Sequence, residues 1–270
     1  MFSARIEDSG FIESGRFNEK FSLSPEEVHI WWIDLNLRGA TVCACWDLLS
    51  PEEKQTSLRY RFAKDRREFV GRRAMLRQVV AQYCDGLAVD LCFDTDFNGK
   101  PILRGMPALH FNLSHSRHYA LLAIARRAVG IDLEFMQPNC MRQSVIEQFL
   151  STSEYSQLEV LPAKERCEAL FRCWTRKEAV LKATGLGLLY PARQLSVPSG
   201  TETAQVVRVL GREWFVWQVA TREVYAAAAA IEKSRGKLQC RQFAVRDTPH
   251  CRRLPSFQPS STVLTRVLEA

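Results

Sequence analysis

Apolar residues recur along the chain with two different periods, and the helical period marks two long segments. Residues 64–83 repeat large apolar side chains at helical spacing, and residues 163–184 do the same before Gly185, a typical helix stop. A shorter helical pattern covers residues 141–150. A further helix is predicted after Ser50, because serine caps helices and the Pro-Glu-Glu that follows suits a first turn.

Strands are predicted where apolar runs are short and rich in β-branched residues, or where apolar and polar residues alternate. Two of these runs are joined through Arg126 and Arg127, which predicts a hairpin between them. The predicted strands are residues 28–35, 89–93, 110–113, 119–125, 129–134, 204–209, 214–220 and 224–231.

Each half of the chain therefore has a long helix followed by strands. This order predicts an α+β fold of two related subdomains, each with its long helix packed on an antiparallel sheet. We assign residues 28–125 to the N-terminal subdomain and residues 126–234 to the C-terminal one. Residues 1–27 are polar and mixed, which is typical of an N-terminal extension. Residues 235–270 contain scattered proline, arginine and serine, so we expect a poorly ordered tail.

Composition narrows the class of protein. No apolar run approaches the roughly 20 residues that cross a bilayer, and the N-terminus holds no apolar signal core. Nine cysteines without a Cys-x-x-Cys pair indicate reduced thiols, so we expect a soluble, cytoplasmic protein. The net charge of +7 favours an anionic partner. Charge alone leaves nucleic acid, an acidic membrane, a polyphosphate and an acidic protein open.

Two carboxylates provide the first candidate chemistry. Asp132 and Glu134 are two residues apart on a predicted strand, so their side chains project to the same side. Neighbouring carboxylates repel unless a cation lies between them, and magnesium accepts a few carboxylates besides water and phosphate oxygens. An edge strand that presents two acids to water is the alternative. The pair by itself favours that alternative.

Three residues at four-residue intervals form a second cluster. Trp174, Glu178 and Lys182 share one face of the helix predicted at residues 163–184. A Glu–Lys pair at this spacing is also an ordinary surface ion pair worth about 0.2–0.5 kcal/mol. The motif alone is therefore weak evidence for catalysis.

A predicted strand that runs into a polar turn contains Ser114 beside His115. Neighbours on an extended chain point apart, and no Gly-x-Ser-x-Gly elbow is present, which argues against a serine hydrolase. The hydroxyl and imidazole groups, together with nearby Lys100, suit recognition of phosphate oxygens instead.

Three arginines fall on one face of the helix predicted at residues 64–83. Arg66, Arg73 and Arg77 could form a phosphate-facing edge or a solvated basic stripe. For Arg77 the solvated stripe is the favoured interpretation.

Four motifs in this order resemble the long, Sfp-type group of phosphopantetheinyl transferases. Each motif alone is common, whereas the combination is specific, and weaker similarity extends over residues 31–231. The motifs are Gly99-Lys100-Pro101, Asn112-Leu113-Ser114-His115, Gly130-Ile131-Asp132-Leu133-Glu134, and Trp174-Thr175-Arg176-Lys177-Glu178 continuing to Lys182.

The resemblance implies two pseudo-twofold related subdomains with coenzyme A in the cleft between them. Since a chain with both halves can form this cleft alone, we expect a monomer. It implies that Asp132, Glu134 and Glu178 hold Mg²⁺ against the pyrophosphate of coenzyme A. Glu178 and Lys182 are the implied catalytic residues, since Glu178 would accept a proton and Lys182 would neutralise developing charge. Contacts to coenzyme A are implied for Lys54, Gly99, Lys100, Asn112, Ser114, His115, Asp132, Glu178 and Lys182.

One implied contact departs from the family pattern. Thr56 stands where several members have a basic residue for the 3′-phosphate, which leaves Lys54 or Arg59 as the substitute.

The implied reaction transfers the phosphopantetheine arm of coenzyme A to a serine of an apo acyl or peptidyl carrier protein and releases adenosine 3′,5′-bisphosphate. Carrier proteins are usually acidic, so the positive net charge fits such a partner. The expected partners therefore include neither nucleic acid nor a membrane. A basic nucleic-acid-binding module is one alternative, but it leaves the three acids unexplained. A non-catalytic, carrier-binding relative is the other.

Overall fold

The computed structural model describes residues 12–14, 20–37, 39–137, 143–198, 204–221 and 224–245. The α-helices in these residues are α1 (Gly39–Asp47), α2 (Pro51–Leu58), α3 (Ala63–Ala81), α4 (Gln143–Phe149), α5 (Thr152–Glu159) and α6 (Ala163–Thr184). The strands are β1 (Ile12–Ser14), β2 (Glu27–Asp34), β3 (Phe93–Thr95), β4 (Pro101–Leu103), β5 (His110–Ser116), β6 (Tyr119–Ala125), β7 (Val129–Phe135), β8 (Gln205–Val209), β9 (Arg212–Gln218), β10 (Tyr225–Glu232) and β11 (Gln239–Val245). None of the described helices is both long and apolar enough to cross a membrane.

The strands form two main sheets and one short ribbon. The five-stranded sheet has the order β1-β11-β2-β6-β5, the four-stranded sheet has the order β7-β10-β9-β8, and β3 pairs with β4. One apolar core lies between α1, α3 and the five-stranded sheet, a second between the two sheets, and a third between α6 and the four-stranded sheet. These layers confirm the predicted α+β fold, with one long helix on each sheet.

Strand β11 corrects the prediction of a poorly ordered tail at residues 235–270. Its residues lie inside the segment predicted to be a tail, yet it inserts between β1 and β2 and runs parallel to both. This sheet therefore combines the predicted antiparallel pairs of β2, β6 and β5 with parallel pairs at β11. Phe243 of β11 is 1% exposed and stacks on Trp31, with 4.7 Å between ring centroids. A few apolar residues within an otherwise polar segment are thus sufficient for a buried strand. The tail beyond residue 245 lies outside the described residues.

The N-terminal segment also contributes to the core. Residues 12–14 form β1, although they belong to the predicted extension. Leu23 is buried, and the Phe21 ring packs on Tyr83, with ring centroids 5.6 Å apart. The five-stranded sheet thus joins segments from both ends of the chain.

The predicted hairpin through Arg126 and Arg127 is wrong, because β6 and β7 belong to different sheets. Both arginines donate to backbone carbonyls of the N-terminal segment, Arg126 at 3.4 Å and Arg127 at 2.8 Å. These contacts hold the chain where it crosses between the sheets. Strand β6 pairs instead with β5, through a turn in which Arg117 has a φ of +51°.

Helix boundaries follow the capping signals. Ser50 Oγ accepts the N–H of Glu53 at 3.2 Å, and the Glu53 carboxylate accepts the N–H of Ser50 at 2.9 Å, which starts α2 as predicted. Helix α6 covers the predicted residues and is followed by Gly185, whose φ of +73° is left-handed. Helices α1 and α5 are not predicted from the sequence, although Ser151 and Glu154 form the same capping box before α5.

Arg77 corrects the prediction of a solvated arginine stripe. It is 1% exposed, and its Nε donates to the Glu53 carboxylate at 2.7 Å. Its Nη1 donates to the carbonyl of Leu91 at 2.8 Å. The Glu53 carboxylate on α2 therefore determines where Arg77 lies, and the apolar pattern of α3 alone does not indicate this partner.

The strand predicted at residues 89–93 is also corrected. The segment before β3 contains a 3-10 turn at Ala88–Asp90 instead.

Candidate active site

Helix α6 lies directly against β7 at Gly130. A Cβ atom at Gly130 would overlap the backbone of Ala179 and Ala183, so only glycine permits this close approach. Small alanine side chains of β10 line the same contact. The close packing brings the polar residues of α6 beside the carboxylates of β7.

Asp132 lies at the centre of the site and is 3% exposed. Its Oδ1 accepts from Lys182 Nζ at 2.6 Å and from Ser114 Oγ at 3.0 Å. Lys182 Nζ also donates to Ser114 Oγ at 3.1 Å, so the three groups contact one another. Asp132 Oδ2 is buried and has no hydrogen-bond partner among the described residues. One oxygen of this buried carboxylate thus lacks a partner within the described residues, which a bound ligand would provide.

Glu134 and Glu178 extend this site into an acidic cluster. Burial, and then the charge of Asp132, raise the pKa of Glu178 above its ordinary value. The same causes raise the pKa of Glu134 to about 7, although Ser116 Oγ donates to its carboxylate at 3.1 Å. Mutual repulsion of partly buried carboxylates is what a bound cation relieves.

The donor set has the chemistry of a divalent-cation site, although the described residues do not form a finished one. Within the described ranges, no three His, Cys, Asp or Glu side chains are arranged to hold a metal ion. The free Oδ2 of Asp132 and the raised pKa values of Glu134 and Glu178 nevertheless fit a hard cation with oxygen ligands. The role of these three residues as magnesium ligands stays a prediction.

Side-chain oxygens of β5 accept hydrogen bonds from backbone N–H groups at the edge of β7, and we call this row of hydrogen bonds the seam. Side chains on one face of β5 and N–H groups on one edge of β7 both recur at every second residue, so donors and acceptors match. The seam therefore holds β7 and its carboxylates against the five-stranded sheet. Its three bonds join Asn112 Oδ1 to Ile131 N at 2.8 Å, Ser114 Oγ to Leu133 N at 3.3 Å, and Ser116 Oγ to Phe135 N at 3.0 Å.

The seam gives structural roles to two residues predicted to bind coenzyme A, Asn112 and Ser114. Sequence reasoning missed Ser116, which bonds both Glu134 and the seam. The signal was the alternation of polar residues in Asn-x-Ser-x-Ser, which the strand period makes meaningful.

His115 is exposed at the end of β5. Partial desolvation of its ring and the positive charges of Arg72 and Lys182 lower the pKa of His115 to about 4. The imidazole is therefore neutral near pH 7. Arg72 is a residue that the sequence did not single out, because the helical period does not show which face of α3 meets β5.

Gly99 and Lys100 lie in the turn of the β3–β4 ribbon. Lys100 Nζ donates to two backbone carbonyls, so its ammonium does not point freely into a cleft. Lys54 lies on α2, with its Nζ 5.9 Å from the centroid of the Trp46 ring. Their roles in binding coenzyme A stay predictions.

Lys177, in the same motif as Glu178, is fully buried. Its Nζ pairs with Glu154 at 2.6 Å and donates to the carbonyls of Phe149 and Ala192 at 2.8 and 2.9 Å. A buried charge with these partners holds α5 and its surroundings on α6, and removal of one partner is strongly destabilising in general.

Comparison with known proteins identifies the family. Residues 39–127 match the family described as 4′-phosphopantetheinyl transferase, N-terminal, and residues 128–230 match the 4′-phosphopantetheinyl transferase superfamily. The 4′-phosphopantetheinyl transferase HetI of a Nostoc species is 37% identical over 171 residues, which are 62% of this chain and 72% of HetI. The chain belongs to the 4′-phosphopantetheinyl transferase superfamily. The two matched segments meet at residues 127 and 128, where the chain crosses between the sheets.

The successive matches agree with the long, Sfp-type group of this superfamily. The 4′-phosphopantetheinyl transferase Sfp of Bacillus subtilis is 29% identical over 149 residues, which are 55% of this chain and 66% of Sfp. Among solved structures, the holo-[acyl-carrier-protein] synthase of Thermotoga maritima matches 40% of this chain and 64% of that chain, with a TM-score of 0.33 and 22% identity. This last likeness is too weak to support an argument.

Proposed function

We propose that this chain transfers the 4′-phosphopantetheine arm of coenzyme A to a serine of an apo acyl or peptidyl carrier protein, in a magnesium-dependent reaction. The observation that carries the proposal is the acidic cluster beside Lys182, in which one oxygen of Asp132 is buried and free. Such a cluster suits a diphosphate held with a hard cation, because magnesium binds few protein carboxylates and also accepts phosphate oxygens.

Two residues of α6 take the main chemical roles. Glu178, whose pKa is raised, accepts the proton of the carrier serine. The serine oxygen then bonds to the phosphorus that carries pantetheine, the bond from that phosphorus to the bridging oxygen breaks, and adenosine 3′,5′-bisphosphate leaves. Lys182 offers positive charge to the leaving diphosphate oxygen. When bound, magnesium supplies further positive charge for the same oxygens.

We further propose that part of the nucleotide end of coenzyme A lies at a small cavity between α3 and β5, whose lining is mostly apolar but includes Arg72. This cavity of about 160 Å³ is lined by Arg72, Asn112 and Leu113, among others. The charge of Arg72 acts on His115, which therefore lies near the same cavity. We propose that Arg72 and His115 contact a phosphate of the nucleotide, with Lys54 on the neighbouring α2 as a further candidate.

The positive net charge of +7 supports an acidic carrier protein as the partner. We further propose that the protein acts as a monomer, since both sheets and the acidic cluster come from one chain. We also propose that it is cytoplasmic. The nucleic-acid-binding alternative loses support, because Arg66 and Arg77 are buried and Arg73 bonds Glu53. The non-catalytic alternative is opposed by the assembled Asp132, Glu178 and Lys182.

The direct test incubates apo carrier proteins of several pathways with coenzyme A, Mg²⁺ and this protein, and measures their intact mass. We expect one phosphopantetheine adduct per carrier, and no adduct when a chelator removes the metal. A carrier whose modified serine is replaced by alanine is the control. If no adduct forms on any carrier, the chain is not an active transferase. Equal rates with and without chelator would remove magnesium from the proposal.

A further inference from the structure

The ammonium of Lys100 makes two contacts that a role in phosphate binding does not explain. Lys100 Nζ donates to the carbonyl oxygens of Val129 and of Lys182, both at 2.8 Å. Val129 begins β7, and Lys182 lies near the end of α6. The Lys100 side chain thus links the β3–β4 ribbon to the strand and to the helix that form the acidic cluster. We call these two hydrogen bonds the tie.

The carbonyl groups at the end of α6 require hydrogen-bond donors from outside the helix, and the tie provides one. The last carbonyls of a helix have no partner within the helix, and terminal turns open more readily than the middle. Helix α6 ends at Thr184, which places Lys182 in the final turn. Thr184 Oγ1 donates to the Leu181 carbonyl at 2.9 Å, and Lys100 provides the donor for the Lys182 carbonyl. A cation there also matches the negative end of the helix dipole.

The turn that presents Lys100 has a defined shape. Asp96 Oδ1 accepts the backbone N–H of Asn98 at 2.9 Å and that of Lys100 at 2.8 Å. Gly99 has a φ of +83°, which glycine adopts without strain, and Pro101 follows with a fixed φ. The Gly-Lys-Pro motif therefore holds the ammonium over β7 and α6.

We propose that Lys100 is a positioning residue, which fixes the backbone of Lys182 and thereby the contact of Lys182 with Asp132, and is not itself a phosphate ligand. The proposal rests on the proposed transfer reaction, because Lys182 acts there. Burial lowers the pKa of Lys100 to about 8, so the side chain keeps its proton at neutral pH and can donate to both carbonyls.

Labelling of the wild-type protein tests this contact without any variant. Lysines are methylated with formaldehyde and a borohydride, and the modified sites are quantified by mass spectrometry with and without coenzyme A. We expect Lys100 to react slowly in both samples, while Lys64, whose side chain is 66% exposed, reacts quickly. Rapid labelling of Lys100 that coenzyme A suppresses would identify a phosphate ligand and overturn the proposal.

A variant tests the consequence for catalysis. Lys100→Met keeps the length of the side chain and removes its donors. We expect kcat to fall on the order of 10- to 100-fold, because small displacements of catalytic groups have effects of this size. KM for coenzyme A, and the ratio of activities with coenzyme A and 3′-dephospho-coenzyme A, should stay unchanged. A raised KM with kcat retained, or a lost preference for the 3′-phosphate, would contradict positioning.

Amide hydrogen exchange separates this proposal from the proposed function, since it needs no transfer activity. In Lys100→Met, residues 181–186 should exchange faster, while β8 and β9 stay as in wild type. Arg104→Met is the matched control, because Arg104 lies after the same ribbon and its guanidinium pairs with Asp94 of that ribbon at 2.6 Å. Unchanged exchange at the end of α6 would refute the tie even if the wild-type enzyme is active. If wild type transfers nothing but exchange changes as expected, the proposed function fails and the tie stands.

If Lys100→Met does not fold, Lys100→Arg replaces it in the exchange experiment. Arginine keeps a charged donor, so the end of α6 should exchange nearly as slowly as in wild type. Fast exchange there, together with rapid labelling of Lys100 in wild type, would refute the tie.

Discussion

At the residue scale, two lysines five positions apart on α6 show that the role of a lysine depends on the groups its ammonium contacts. Lys177 is fully buried, and its ammonium pairs with Glu154 and donates to two backbone carbonyls. The side chain of Lys182 is 29% exposed, and its ammonium contacts Asp132 beside a free carboxylate oxygen. The first lysine therefore stabilises the packing of α6, and the second is the candidate for catalysis.

Removal of the proton acceptor should abolish transfer without unfolding the protein. Glu178→Gln keeps the size of the side chain but cannot accept a proton, so we expect kcat to fall by about 100-fold or more. Thermal unfolding should change little, because this substitution also removes a repelled, partly buried charge. Glu165→Gln, at an exposed position in the first turn of the same helix, is the control. Transfer at the wild-type rate would exclude Glu178 from the mechanism.

A buried histidine far from the cluster predicts a pH dependence of stability. His29 is fully buried, its Nδ1 is hydrogen-bonded to the Tyr83 hydroxyl at 2.7 Å, and its Nε2 has no partner among the described residues. Burial lowers the pKa of His29 to about 4. The unfolded chain binds this proton below about pH 6.5, so stability is complete above that pH and decreases as the pH falls towards 4.

The loss assigned to His29 is about 3 kcal/mol across this interval, since each pKa unit corresponds to about 1.4 kcal/mol. Denaturant unfolding between pH 7 and pH 4 measures it. His29→Gln should remove this part of the pH dependence and leave the part due to His115, whose pKa is also lowered to about 4, whereas His118→Asn, at an exposed position, should leave the slope unchanged. An equally steep curve in His29→Gln would assign the dependence to other groups.

At the scale of elements, the site depends on how closely α6 approaches β7 and on the seam that holds β7. Gly130 permits the approach, and the polar side chains of β5 provide the acceptors that an adjacent strand would otherwise offer. The motifs that carry the chemistry are thus also the motifs that pack the elements. We expect the loss of either contact to displace Asp132 and Glu134 together.

Gly130→Ala should destabilise the protein by about 3 kcal/mol, because the added methyl group meets the backbone of α6 and neither element can yield locally. Denaturant unfolding measures the change. Gly211→Ala is the matched control, since its Cβ meets no atom within 4 Å and only its φ of +76° disfavours alanine. Equal, small losses in both variants would show that α6 can move away from β7.

At the scale of the whole molecule, the end of the described chain completes the sheet that begins near its start. Strand β11 lies between β1 and β2 and buries Phe243 against Trp31. The residues before β11 belong to the other sheet, so the chain returns to the first sheet after building the second. The two sheets therefore depend on each other for stability.

A chain that ends at residue 234 should fail to unfold cooperatively, because it lacks β11 and exposes the edge and face of β2. Circular dichroism during heating measures this. Phe243→Ala in the full chain should cost about 3–5 kcal/mol by the loss of a buried aromatic side chain. Phe243→Leu is its conservative control. A shortened chain with an unchanged, cooperative transition would show that β11 adds nothing to the core.

The sequence by itself determined the elements whose contacts are local. The periods of apolar residues located α3, α6, β2 and β6 closely. Capping residues located the start of α2 and the end of α6, because both signals arise within a few residues of chain. The four motifs also identified the family, which the comparisons confirm. The candidate carboxylates and Lys182 came from the same motifs.

Only the tertiary structure decided which elements meet. It separated β6 from β7, placed β11 in a core sheet, buried Arg77 against Glu53, and directed Lys100 to the end of α6. These outcomes depend on partners far away in the chain, and a local period carries no information about such partners. The proximity of Glu178 to Asp132 is of the same kind, since it exists only because α6 packs on Gly130.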